Sequence, residues 1–151
     1  VTGVQTCALP ISQRAHNGGG LLTWVLSVSD IKTFENRLGR ESVDGHRRRP
    51  DGSELNWKQI GVLGTLEDRQ LPFFIEWLTN DHPSKEAKAV AKIEKLEIAG
   101  DPERVREWIG EDFESAFAGI ALEWVDPAEN SGETGIFAVH FATPNGTFRL
   151  D

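Results

Sequence analysis

Four histidines and a run of arginines are the residues of this chain best suited to chemistry. The histidines are His16, His46, His82 and His140. No two of them stand at the i, i+4 spacing of a helical metal pair or in another recognised ligand pattern. His140 alternates with Ala138 and Ala142 in FAVHFAT, which places it on one face of a strand, toward a cleft or toward solvent. His82 precedes Pro83 and opens a turn. The stretch HRRRPDG carries Arg47, Arg48 and Arg49 ahead of a turn. On a strand, Arg47 and Arg49 share a face and would together grip a carboxylate through paired N–H groups. The alternative is a solvated hairpin flank, because charges stay in water unless paired. The glycines Gly18 to Gly20 lack a following lysine and precede a strand pattern, so they do not form a phosphate loop. No serine, histidine and aspartate set has a nucleophile-elbow context.

The single cysteine, Cys7, lies in VTGVQTCALPI, Val1 to Ile11, which has no charged residue. A signal peptide needs a basic start and an unbroken apolar core, and Thr2, Gly3, Gln5 and Thr6 interrupt this one. Codon by codon, the stretch resembles the translation of a common short-read sequencing adapter, and the chain contains no methionine. Residues 1–11 are therefore read as an artefact, with the authentic sequence starting at or near Ser12. Cys7 then drops out of every thiol, disulfide and metal argument. Residues 12–20 read as a disordered or linker remnant. The net charge of −8 and pI near 5.0 argue against a nucleic-acid surface, which needs concentrated positive charge. No apolar run approaches the roughly 20 residues of a membrane span. The expected partner is a small molecule, with neither nucleic acid nor membrane, and the expected location is the cytoplasm.

The elements that must position these residues form a repeat. LLTWVLSVSDIKTFENRLG, Leu21 to Gly39, and VAKIEKLEIAGDPERVREWIG, Val90 to Gly110, share a layout of alternating strand, Asp, short helix and Gly. Asp30 and Asp101 are N-caps, Pro102 suits the first helical position, and Gly39 and Gly110 suit the stops. Ile31, Phe34 and Leu38 make one apolar stripe, and Val105, Trp108 and Ile109 another. Leu22, Trp24, Leu26 and Val28 alternate toward the helix, leaving Thr23, Val25 and Ser27 on the other face. After the first helix come SVDGHRRR, a PDG turn, SELNWKQIGVL, a polar loop and LPFFIEW. After the second come GIALEWVD, a polar loop, GIFAVHFAT, a PNG turn and TFRL. Both halves read as βαβββ units, 21–77 and 90–151, joined by the connector 78–89. The fold class is α+β, the two units forming a curved mixed sheet with helices on its convex side. The concave side then makes a cleft, with Trp57, Lys58 and Trp77 among its candidate lining residues.

Paired βαβββ units resemble the vicinal oxygen chelate superfamily. GGGLLTWVLSVSD, GRESVDGHRRRPDGSELNWKQIGV, LPFFIEW followed by HPS, and LEIAGDPERVREWIG more narrowly resemble the bacterial glyoxalase-like domain proteins. The resemblance runs from about His16 to the C-terminus. It implies a further βαβββ unit ahead of the first, commonly carrying a His in its opening strand, so the chain reads as N-terminally truncated. Either that missing unit or a second copy, as a homodimer, would cover the sheet edge otherwise exposed. Alternatively, the two units pair with each other. Superfamily enzymes hold a divalent metal with His, Gln or Glu from opening and closing strands, and the metal polarises neighbouring substrate oxygens. By that resemblance Glu76 stands at a ligand position on the concave face. Thr23 stands where the His would be, and Arg149 where a Glu is usual. In the second unit Glu97, or Glu94 after a one-residue slip, would face the cleft. No complete metal site is expected in this chain, and a divalent metal would belong to the full-length parent. His82 gains a ligand contact from the resemblance. Two functions stay open: a small-molecule-binding fragment of a metal-dependent lyase or dioxygenase, and a metal-free binding or dimerisation module. The sequence assigns no catalytic residue.

Overall fold

The computed structural model describes residues 12–79 and 90–151. Cys7, His82 and most of the connector lie outside them. The first unit contains β1 (Val25–Ser27), α1 (Ile31–Leu38), β2 (Val43–Arg48), β3 (Glu54–Ile60), α2 (Val62–Glu67) and β4 (Phe73–Trp77). The second contains β5 (Lys92–Ala99), α3 (Pro102–Ile109), α4 (Phe113–Ala116), β6 (Ala121–Val125), β7 (Gly135–Thr143) and β8 (Gly146–Leu150). Residues 12–16, inside the stretch expected to be a linker, are helical.

The caps form as their residue types dictate. Asp30 accepts from Lys32 N at 3.0 Å and Asp101 from Glu103 N at 2.9 Å, each satisfying one orphan N–H of a first turn. Gly39 stops α1 in the left-handed region. Two stretches differ from the sequence expectation. Strand β3 ends at Ile60 rather than running on through GVL, because Gly61 takes φ 94° and the chain turns into α2. Thr65 is buried in that helix and its hydroxyl donates to Val62 O at 2.8 Å. The polar loop expected before LPFFIEW is therefore partly helical. Similarly, the chain stays helical beyond Gly110 through α4. Phe113 and Phe117, four positions apart, both enter the core, and that spacing places them on one helical face.

Each unit builds its own four-stranded mixed sheet. The strand order is β1-β4-β3-β2 in the first and β6-β5-β7-β8 in the second; the units share an opening strand, a first helix and three further strands along the chain, but differ in where the second short helix falls and in the layout of the sheet. The difference in layout follows from the opening strands. Strand β1 spans three residues and carries an edge, paired in parallel with β4. Strand β5 spans eight, is buried from Leu96 to Ala99, and takes β6 in parallel on one side and β7 antiparallel on the other.

The helix-bearing faces of the two sheets share one apolar core. Phe34 of α1 packs on Phe74 of β4 with ring centroids 4.1 Å apart, and Phe74 also stacks with Trp108 of α3 at 6.3 Å. Val105 and Ile109 are fully buried with Leu96 and Ile98 in the same cluster. Polar bonds cross between the units at its margin. Arg37 donates to the carbonyls of Trp108 and Ile109 at the end of α3, where the helix's orphan C=O groups favour a cation. Trp108 Nε1 donates to Pro72 O at 2.7 Å, and Gln70 Oε1 accepts from Asp101 N at 2.7 Å.

Gln70 is buried, so Gln70→Ala strands the Asp101 N–H and should cost about 1–2 kcal/mol. Urea unfolding of the two proteins side by side measures this, and equal midpoints would mean the contact contributes nothing.

Candidate functional site

Strand parity sorts the candidate residues of the first sheet. Phe74 is inaccessible to solvent and lies against α1. Glu76 is two residues on, so it shares that face. The ladders carry the assignment across the sheet: Leu26 pairs with Phe74, Ile60 with Phe74, Lys58 with Glu76, and Asp44 with Lys58. The sequence expectation placed Glu76 on the face away from the helix. The register instead places it on the helix side. There its Oε2 accepts from Ile31 N at 3.1 Å, at the first turn of α1. Lys58 stands directly across from it, and Lys58 Nζ reaches Asp44 at 2.7 Å. That aspartate, more than any other group, raises the lysine's pKa.

The opposite face collects the other candidates. Trp57 and Trp77 are cross-strand partners with ring centroids 5.6 Å apart. Gly45 pairs with Trp57, and Arg47 with Leu55, so Arg47 is diagonal to Trp57 on the same face. The Trp57 indole lies directly over Gly45: a Cβ built there would fall 2.2 Å from Trp57 Cε2. Trp57 Nε1 donates to Gln59 Oε1 at 3.1 Å, which fixes the ring's tilt. The Arg47 side chain is exposed, and its guanidinium makes no ion pair or hydrogen bond among the described residues. Arg49 continues on that face into the PDG turn, its N–H donating to Ser53 O at 2.8 Å. The face thus has an aromatic floor, a glycine shelf under one ring, and a free guanidinium at its edge. Lys58 is excluded from it by parity. Gly45 was not among the residues expected from the sequence, although a glycine inside a strand pattern is itself a sign of close approach by another group.

A second polar cluster lies on the face of the second sheet away from its helices. Glu97 is 8% exposed. Arg149 Nη2 donates to it at 2.9 Å, His140 Nε2 lies 2.5 Å from it, and Lys95 Nζ lies 3.4 Å away. Lys95 also meets Glu123 at 2.7 Å, and Arg149 meets Asp151 at 2.6 Å. The Arg149 guanidinium, helped by His140 and Lys95 against the cost of burial, pulls the Glu97 carboxyl down to about 2. His140 therefore belongs to a closed network and does not line the first sheet's open face. Glu94 is engaged separately, accepting from Thr147 at 2.9 Å.

Between the units, a cleft of about 550 Å³ runs along α1 past Asp30, Thr33 and Arg37, opposite Ile109, Gly110 and Ser115. The helix N-terminus it touches offers no spare N–H at Ile31 or Lys32, since Glu76 and Asp30 cap them.

Among the described residues the candidate ligands do not fit a divalent metal. Glu76 is committed to α1, Thr23 is a poor donor, and Arg149 brings positive charge where a ligand would be needed. Among the described residues no group of three or more His, Cys, Asp or Glu side chains could hold one.

The Glu97 cluster carries a pH dependence. Its carboxyl titrates near 2 when folded and near 4.5 when unfolded. The cluster's contribution to stability is therefore complete above about pH 4.5 and is lost as the pH falls toward 2. Arg149→Ala removes the main cause of the shift. It should lower stability near neutral pH and flatten the acid limb of the stability profile. Urea unfolding from acid to neutral pH reads both effects, and an unchanged profile would refute the coupling.

No curated protein and no solved structure matches the chain. Among the described residues no helix is long and apolar enough to cross a membrane. The glyoxalase-like domain family matches residues 5–113, most of the 151-residue chain. The match takes in the whole first unit, with its Gly45 shelf and tryptophan pair, and the opening strand and helix of the second. With the mixed α+β architecture and its βαβββ order of elements, this places the chain in the glyoxalase-like domain family of the vicinal oxygen chelate superfamily.

Proposed function

We propose that the face of the first sheet away from its helices, exposed at Val25, Val43 and Arg47 and closed at Leu55 and Ile75, binds a small oxygenated molecule, a planar organic anion, without a metal ion supplied by this chain. The observation that carries this reading is the Trp57 ring seated on Gly45, beside Trp77 and an unpaired Arg47. Aromatic rings give flat contact area at small entropic cost. A guanidinium is the side chain suited to a carboxylate, with paired donors and a weak hydration shell. Arg49 stands next along the same face and is a second candidate for the anionic end. His82 is a further candidate from the sequence, outside the described residues. Metal-dependent lyase or dioxygenase chemistry asks for donors that these residues do not assemble, so binding without turnover is favoured for the chain itself.

Benzoate and its uncharged analogue benzamide are suitable probes, and the indole N–H signals in an NMR titration are the readout, because five tryptophans confound total fluorescence. Benzoate should shift the Trp57 and Trp77 signals more than those of Trp24, Trp108 and Trp124. Arg47→Ala should weaken benzoate roughly tenfold, about 1.4 kcal/mol, while leaving benzamide little changed. Gly45→Ala should displace the Trp57 ring and weaken both. Indole signals that stay still at millimolar benzoate would sink the proposal.

A further inference from the structure

By the sequence resemblance Glu76 stands at a metal-ligand position, and its surroundings assign it a different task. We infer that Glu76 is a positioning residue: it ties the closing strand β4 to the first turn of α1 and does not serve as a metal ligand. Three observations support this. The Glu76 carboxylate accepts from Ile31 N, while Asp30 accepts from Lys32 N. Two carboxylates therefore divide the first free N–H groups of one helix, an arrangement that also meets the positive end of its dipole. Parity holds Glu76 on the face of Phe74, so a slip to the open face would turn Phe74 out of the core. Its cross-strand neighbour is a lysine, Lys58, whose ammonium opposes the approach of a divalent cation.

The second unit repeats the pattern in its own way. Arg149 of β8, the closing strand, is bonded to the buried Glu97, so that position also serves an internal contact. Both closing-strand positions where a ligand would be sought are taken up in holding the fold. The inference does not depend on the ligand proposed for the open face, because it concerns the other face of the same sheet.

The test compares the wild-type chain with Glu76→Gln and Glu76→Ala. Glutamine retains a side-chain oxygen for Ile31 N and removes the negative charge, whereas alanine removes the cap. Three readouts apply: calorimetric titration with Mn²⁺, Co²⁺, Ni²⁺ and Zn²⁺, thermal unfolding, and hydrogen exchange at the Ile31 amide. The expected result is no stoichiometric metal uptake by the wild-type chain that either substitution abolishes. Glu76→Ala should melt roughly 3–6 °C lower, in keeping with the loss of one helix cap in a chain of this size. Its Ile31 amide should exchange faster, while Glu76→Gln should stay close to wild type on both counts. One equivalent of metal bound at micromolar affinity by the wild type and lost in Glu76→Gln would overturn the inference. So would an Ile31 amide equally protected in all three proteins. If Glu76→Ala does not fold, the glutamine variant still decides the metal question.

Discussion

Phe74 has no exposed surface, because α1 presses Phe34 onto one side of its ring and α3 brings Trp108 to another. Burying an aromatic ring of this size is worth several kcal/mol, and opening a cavity at such a site costs 3–5. A one-residue slip of β4 would take Phe74 out of that contact. Once Phe74 is fixed inward, the two-residue period of a strand settles its neighbours. Glu76 must share the helix side, where its carboxylate meets the start of α1. Phe73, Ile75 and Trp77 must face the other way. The chemistry available to each face is thus decided by the packing of one ring.

The same logic runs through the second sheet with different outcomes. Strand β5 lies between β6 and β7, and both of its faces are covered from Leu96 to Ala99. Leu96 and Ile98 face the helices. Glu97, between them, is driven to the other face at a point where little water reaches it. A carboxylate so placed is costly unless paired. Arg149, His140 and Lys95 supply that pairing from β8, β7 and β5 itself. Each of these side chains arrives by cross-strand register: Lys95 is opposite His140, and His140 is opposite Arg149. The network secures the edge strand β8, whose residues are otherwise exposed. It also accounts for a histidine that, taken alone, suggested a ligand site.

Much of this was legible in the chain before any coordinates. The caps at Asp30 and Asp101, the apolar stripes of α1 and α3, the hairpin turns and the βαβββ order all follow from local rules that act within a few residues. What local rules could not provide was the layout of each sheet. The order of strands depends on how long β1 and β5 are and on what buries them, and both are tertiary matters. The face of Glu76 fell to the same limit. FFIEW is apolar at three consecutive positions and again at Trp77, so alternation within the strand is masked, and only contact with α1 reveals which phase is buried. The helices α2 and α4 were hidden because segments of six and four residues are too short to show a helical period, and a tertiary anchor such as Thr65 or Phe113 is what holds them.

The open face of the first sheet raises a question that stability alone does not answer. Glycine within a strand loses backbone entropy and contributes no side-chain packing. Gly45 carries no left-handed angle among the positive-φ residues, so backbone geometry does not demand it. Its one visible consequence is room for the Trp57 indole. Yet Trp57 remains only partly buried there, so the shelf does not maximise removal of apolar surface from water. A valine or threonine at position 45 would pair better in the ladder and push the ring outward. The arrangement seats the Trp57 plane close over the strand, inclined at 52° to the Trp77 ring, with Arg47 diagonal to it on the same face. A sheet optimised for stability alone would not build that geometry, whereas the proposed binding of a planar anion would use one aromatic face with a cation close by.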